Sequence, residues 1–231
     1  MLNNPFQGGT HLPDITLVAP VYTGEAEPSF YVANRAHHSD VGGMTAGSMP
    51  LSTSIYQEGV IIPPLKIVEN GEIDRKLMDF FLTNVRTPLE REGDFSAQIM
   101  ANLTGAQRSR ELIEKYGLEM VNLYARSLND YSEKVTRSAI AMIPDGEYEF
   151  EDFMDGDGVG QENIKIAVRL EIEGDEALLH FSGCAPQVRG SINAVYAITL
   201  SAILYVFRSL VEEDIPTNAG CLRPLKVVTH K

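Results

Sequence analysis

Three of the five histidines stand within the first 38 residues, and each is followed closely by an aspartate. Asp14 comes after His11, and Asp40 comes after His37 and His38. Imidazole and carboxylate together suit divalent Zn, Mn or Fe. The pattern is neither a zinc finger nor a zincin helix, and scattered His/Asp pairs also occur in polar loops that bind nothing. His37 and His38 are neighbours, so on a strand they point to opposite faces. Only one of them then serves easily as a ligand, and the other lies behind it or faces a substrate. Gly8, Gly9, Gly42 and Gly43 flank both clusters and permit tight backbone around an ion or substrate.

Other residues carry weaker signals. Asp152, Asp155 and Asp157 lie among glycines in EDFMDGDG, but the spacing departs from a calcium-binding EF-hand loop, so a solvated acidic turn is expected. The glycines of GDGVG are followed by no Lys-Ser or Lys-Thr, so there is no phosphate loop. Cys184 has His180 four residues before it, a spacing that on a strand puts both on one face. A buried, inert thiol is nevertheless the expectation for Cys184 and also for Cys221. His230, next to the terminus, carries no signal.

The elements that must hold these groups follow from residue periodicity. Residues 15–22 and 30–36 read as strands joined by a turn, which as a hairpin brings the His11 end close to the His37 end. Residues 59–68 are extended and apolar, with Pro63 and Pro64 opposing a central strand position. Helical spacing runs over 72–85, then to Gly117 as a C-cap, and again over 118–143, which suggests an antiparallel helical hairpin. Strands are expected at 148–153, 164–172, 177–181 and 221–229, with a buried helix at 191–214. The fold class is therefore mixed α+β. It divides by composition into a β-rich region (1–70), a helical region (71–143) and a mixed strand/helix region (144–231).

Bulk properties narrow the function classes. The chain has 231 residues and a net charge of −13, which opposes nucleic acid and anionic membrane as partners. The most apolar run, residues 194–207, is too short to span a bilayer, which needs about 20 residues. Two cysteines and no signal-peptide pattern favour reduced thiols and a cytoplasmic protein. The abrupt start, and a strand pattern running out at Lys231, read as a piece of a longer chain.

Several motifs together resemble one family. NNPFQGGTHLPDI (3–15) is similar to the NDP-x-x-GGTHLPD signature of hydantoinase B proteins, and ANRAHHSDVGG (33–43) to their NRAHHADIGG segment. GSMP (47–50), IYQEG (55–59) and IPP (62–64) follow in order, then NVRTPLEREGDFSAQIMAN (84–102). GEYEFEDFMDGDG (146–158), SGCAPQVRGSINAV (182–195) and TNAGCLRPLKV (217–227) extend the likeness over nearly the whole chain. One departure is Asn4, where the family pattern has aspartate.

The resemblance implies a B-type subunit working with a hydantoinase A-type subunit. The A-type partner, rather than this chain, would bind ATP. Together the two would hydrolyse a cyclic amide such as a hydantoin or 5-oxoproline. The alternatives are a subunit of an acetone- or acetophenone-type ketone carboxylase, and a truncated chain inactive alone. The related carboxylase subunits hold a metal through a His-x-x-Asp pair and a later histidine. Carried over, these are His11, Asp14 and either His37 or His38, with His37 taken as the ligand. Asp40 and His38 are then the candidates for proton transfer, because imidazole titrates near neutral pH.

Overall fold

A computed structural model describes residues 1–229, so His230 lies outside the described residues. The fold is α+β and forms two compact units, Met1–Leu118 and Glu119–Lys231. Composition changes near residues 70 and 143 as the sequence suggests, whereas compactness changes beside Gly117.

The first unit is built on a hairpin. Strands β1 (Asp14–Val21) and β2 (Phe30–His37) pair antiparallel, in a register that runs from Asp14 opposite His37 to Val21 opposite Phe30. Ile15, Leu17 and Val21 are buried, while Asp14 and Thr16, which alternate with them, are only half-buried. This period of two separates a core face from an open face. The short strands β3 (Val68–Glu69) and β4 (Glu72–Ile73) pair next. Helix α1 (Arg75–Thr83) starts at Asp74, whose carboxylate accepts the Lys76 and Leu77 N–H groups at 2.9 and 3.1 Å.

Helix α2 (Pro88–Tyr116) has Pro88 in its first turn and ends at Gly117, whose φ of +82° suits glycine. It packs on both strands of the hairpin. The core beneath them includes Leu12, Ile15, Leu17, Met78, Phe81, Phe95 and Ile99. Phe81 meets Phe95 edge-on, with ring centroids 4.8 Å apart.

Helix α3 (Leu118–Ile140), all but its first residue, opens the second unit. Strands β5 (Gly146–Gly156), β6 (Glu162–Glu173) and β7 (Glu176–His180) form an antiparallel meander, and β8 (Leu225–Val228) joins β7 in parallel. Ile140 of α3 and Ile203 and Phe207 of α4 (Tyr196–Ser209) share a core with Ile172, Leu179 and Leu225 of the sheet. Each long helix thus finds apolar partners within its own unit: α2 on β1 and β2, and α3 on the second sheet and the residues around Cys221.

Two expectations need correction here. The apolar run read as a buried helix over 191–214 forms a shorter helix, in which only Ile203 and Phe207 are buried and Tyr205 is 77% exposed. Apolar composition signals what a helix can bury, not how much of it is covered. The last strand is also shorter than 221–229, because residues 219–222 make a 3-10 turn first, capped by the Asn218 side chain. Among the described residues no helix is long and apolar enough to cross a membrane.

Candidate metal centre

The β1/β2 register decides which side chains meet. Asp14 and His37 are direct cross-strand partners on the open face of the hairpin, and His37 Nδ1 lies 2.9 Å from Asp14 Oδ1. His11 sits in the turn before β1, which is closed by a 2.8 Å bond from the Asp14 N–H to the His11 carbonyl. Its Nδ1 lies 3.6 Å from Asp14 Oδ2. The two imidazole rings stack at 5.3 Å, so the carboxylate bridges a pair of imidazoles.

Ligand atoms of His11, Asp14 and His37 all fall within 4.8 Å of one another, a span that side-chain rotation closes onto one ion with bonds of about 2 Å. The donor set, two nitrogens and one oxygen, fits Zn, Mn or Fe. His37 is exposed, which leaves the outer side of the cluster open to a further ligand.

The backbone around His11 is held by a side chain that its residue type does not advertise. Asn3 is fully buried. Its amide donates to the carbonyls of Leu12 (2.8 Å) and Val60 (2.9 Å), and its oxygen accepts the Ile62 N–H at 2.6 Å. All of its strong hydrogen-bonding capacity is directed at backbone. Gly9 passes so close to this strap that a Cβ there would lie 2.0 Å from the Asn3 carbonyl oxygen. Leu12, 1% exposed, anchors the middle of the His11–Asp14 turn in the core.

His38 faces the other way. It is 1% exposed, and its ring packs on Phe95 at 4.8 Å. Gln98 of α2 donates both amide hydrogens, to the Ile15 carbonyl (2.9 Å) and to Asn34 Oδ1 (2.8 Å). Its oxygen must therefore accept from His38 Nε2–H, at 2.9 Å. That fixes the tautomer and leaves buried Nδ1 without a partner, with Asp94 Oδ2 at 4.0 Å. Burial pushes the His38 imidazole below the ordinary histidine range, against the raising influence of the Gln98 hydrogen bond. Asn34 closes the network by donating to the Gln98 carbonyl and to Asn102.

Asp40 is 2% exposed. Its Oδ1 accepts from the Gly42 N–H (3.0 Å) and from Arg86 Nη1 (2.8 Å), and its Oδ2 accepts from the Arg86 backbone N–H. Arg86 also clasps the Gly43 carbonyl. The structure therefore brings His11, Asp14 and His37 together and sets His38 and Asp40 apart from them. Both candidates for proton transfer are buried and fastened to their surroundings, His38 through Nε2 to Gln98 and Asp40 through both oxygens to Arg86. Of the two adjacent histidines it is His37, the last residue of β2, that lies beside His11 and Asp14.

The weaker signals resolve similarly. Asp157 is not a solvated turn residue: it is 3% exposed and its carboxylate accepts N–H groups from Val159, Gln161 and Gly190. Those bonds, the one from Gln161 first, hold its carboxyl below the usual range. Asp152 and Asp155 are exposed. The Cys184 thiol contacts the Ala167 backbone, and His180 turns to Glu171 at 3.6 Å. Cys221 is buried and free.

With this geometry in view, the profile of the family described as Hydantoinase B/oxoprolinase matches residues 1–231. The chain belongs to the hydantoinase B/oxoprolinase family. A Pseudomonas protein named as the B component of a D-/L-hydantoinase is 35% identical over all of this chain, which covers 41% of that protein. The 5-oxoprolinase of Dictyostelium discoideum is 38% identical over 98% of the chain and 18% of its own length. The crystal structure of the ATP-dependent caprolactamase of Pseudomonas jessenii superposes with a TM-score of 0.89 at 30% identity, over 98% of this chain and 39% of that one. A nucleotide-free acetone carboxylase shares the fold, with a TM-score of 0.86 at 19% identity over 97% of this chain and 31% of that one. The chain thus spans less than half the length of these relatives.

Asn4 Oδ1 caps the 3-10 turn at Pro5–Gln7 by accepting the Phe6 N–H at 3.0 Å. Aspartate makes the same bond with a carboxylate oxygen, and the two residues are near-equivalent caps. The Asn4 amide also donates to Gln7 Oε1 at 3.1 Å, a bond that a carboxylate could not make.

Proposed function

We propose that this chain is the metal-bearing part of a B-type subunit that, with an ATP-binding A-type partner, hydrolyses a cyclic amide. The observation that carries the reading is the Asp14 carboxylate set between two imidazoles on the open face of a helix-braced hairpin. Supporting it are the family, and relatives named for hydantoinase, 5-oxoprolinase and caprolactamase.

His11, Asp14 and His37 are the residues that hold the ion in this reading. A divalent cation there supplies Lewis-acid polarisation of a carbonyl oxygen or orientation of a water. The chain's own residues do the rest. The Thr10 hydroxyl donates to Asp14 Oδ2 at 3.4 Å and orients the carboxylate. Asn3 and Leu12 fix the turn that carries His11, and the Gln98–His38–Asn34 network fixes the end of β2 that carries His37.

The test is ATP-coupled cleavage of 5-oxoproline, hydantoin and caprolactam by the full-length subunit assembled with its A-type partner. The reading predicts cleavage of at least one of the three, and a fall in rate of at least about a hundredfold in His11→Ala. ATP turnover that requires bicarbonate and leaves every cyclic amide intact would instead indicate ketone carboxylation and overturn the proposal.

A further inference from the structure

Beside the His11–Asp14–His37 cluster stands an arginine that hydroxyls rather than a carboxylate hold in place, much as backbone carbonyls hold Arg208. Arg75, Arg86, Arg91, Arg137, Arg169 and Arg223 each pair with a carboxylate. Arg35, among the described residues, pairs with none, although the chain carries a net charge of −13. Two neutral hydroxyls hold it instead. Its Nε donates to Thr16 Oγ1 at 2.8 Å and its Nη1 to Thr10 Oγ1 at 3.3 Å.

The location is specific. Arg35 lies directly across from Thr16 in the hairpin register, two residues before His37, and so on the same open face as His37 and Asp14. The Thr10 hydroxyl accepts from Arg35 and donates to Asp14, so one hydroxyl separates the guanidinium from the candidate ligand. A guanidinium has five N–H donors, and these two bonds leave three of Arg35 uncommitted. Threonine hydroxyls orient the side chain without neutralising its charge. An aspartate in either place would cancel it.

We propose that Arg35, positioned by Thr10 and Thr16, is an anion-recognition subsite next to the metal-binding cluster, taking an oxyanion carried by the substrate. The shared ligand chemistry is a planar or tetrahedral oxyanion that accepts paired N–H donors, either a carboxylate on the cyclic amide or a phosphoryl group introduced by the ATP-dependent partner. A divalent ion with one aspartate and two neutral imidazoles leaves net positive charge beside Arg35, and the two together favour an anion. The inference rests on the proposed metal-dependent function and narrows its substrate to one bearing an anionic group when it reaches this face.

The experiment is site-resolved modification of arginines by phenylglyoxal in the full chain treated with Mn(II). It is followed by peptide mass spectrometry, with inorganic phosphate or acetate as the protecting probe. Exposed Arg110 and Arg126 serve as internal controls. The expected result is that one or both anions slow modification of Arg35 about fivefold while leaving the controls unchanged, since bidentate pairing occupies the reactive nitrogens. Protection by acetate alone identifies a substrate carboxylate, and protection by phosphate alone a phosphoryl group. Metal content is measured in parallel on the native chain and on Arg35→Gln, and is expected to be equal in the two.

Bound Mn(II) with no selective protection of Arg35 overturns the subsite and leaves the metal reading standing. Absent Mn(II) with selective protection overturns the metal reading and leaves an anion site. Loss of metal in Arg35→Gln would make the residue a structural prop and also overturn the proposal.

Discussion

The molecule contains two long antiparallel strand pairs that are stabilised in opposite ways. The β1/β2 pair lies on α2 and is bonded to it through buried amides: Gln98 to Ile15 and Asn34, and Asn34 to Asn102. The β5/β6 pair has β5 exposed along nearly its whole length and is laced by surface ion pairs such as Lys165–Glu151 and Arg169–Glu147. Buried amide bonds tolerate little displacement, because an unpaired buried polar group costs far more than a made bond returns. Exposed ion pairs are nearly free to break. The His/Asp cluster sits on the first pair, where the side chains of His11, Asp14 and His37 converge. The difference teaches that polar residues in a core can mark what a fold has to position.

That contrast orders the expected effects of substitution. Gln98→Leu strips partners from the Ile15 carbonyl, Asn34 and His38 at once and should cost about 3 kcal/mol of stability. Urea denaturation measures it, and metal affinity should fall as well. A loss near zero would mean that the hairpin is not braced by this network.

Asp40→Asn comes next. It removes the charge that Arg86 faces and places an amide against N–H donors, for about 2 kcal/mol in the same assay. Metal content should persist, because Asp40 is set apart from the cluster.

In the second unit Asp157→Asn is the sharper probe, because its effect depends on pH. The carboxyl of Asp157 is held below its ordinary value by backbone N–H donors, so its stabilisation is present above the unfolded carboxyl pKa of about 4 and is lost as pH falls through the lower folded value. The variant should melt at a lower temperature than the native chain at neutral pH. The gap should close in strong acid, as read by calorimetry across that range. A gap independent of pH would refute the backbone-capture account of this residue.

The smallest effect belongs to Lys165→Ala, which breaks an exposed pair with Glu151 and should change stability by less than about 0.5 kcal/mol. A larger loss would blur the contrast between the two strand pairs.

What the sequence reveals follows from how far each interaction reaches along the chain. The hairpin shows in its alternating β-branched residues, and the same alternation separates His37 from His38. The helix ends show in Pro88 and Gly117. The bracing does not show. Gln98 meets Ile15 across 83 residues, and Asn3 meets Val60 across 57. Asparagine and glutamine ordinarily read as surface or turn residues, so no local signal marks them as core. Asp40 shows the same limit of local reading: a carboxylate near histidines has the composition of a proton-transfer site, and only the fold shows Arg86 covering both its oxygens. Arg35 carries no signal of its own, since its meaning comes from the threonines across the strand and in the preceding turn.

The central claim is that His11, Asp14 and His37 form one metal site. Elemental analysis of the purified chain, beside the His11→Ala/Asp14→Ala double variant at matched fold and concentration, tests it most directly. The account predicts Zn, Mn or Fe near one ion per chain, lost in the variant. An equal metal content in both proteins, or none in the native chain under saturating metal, would contradict it.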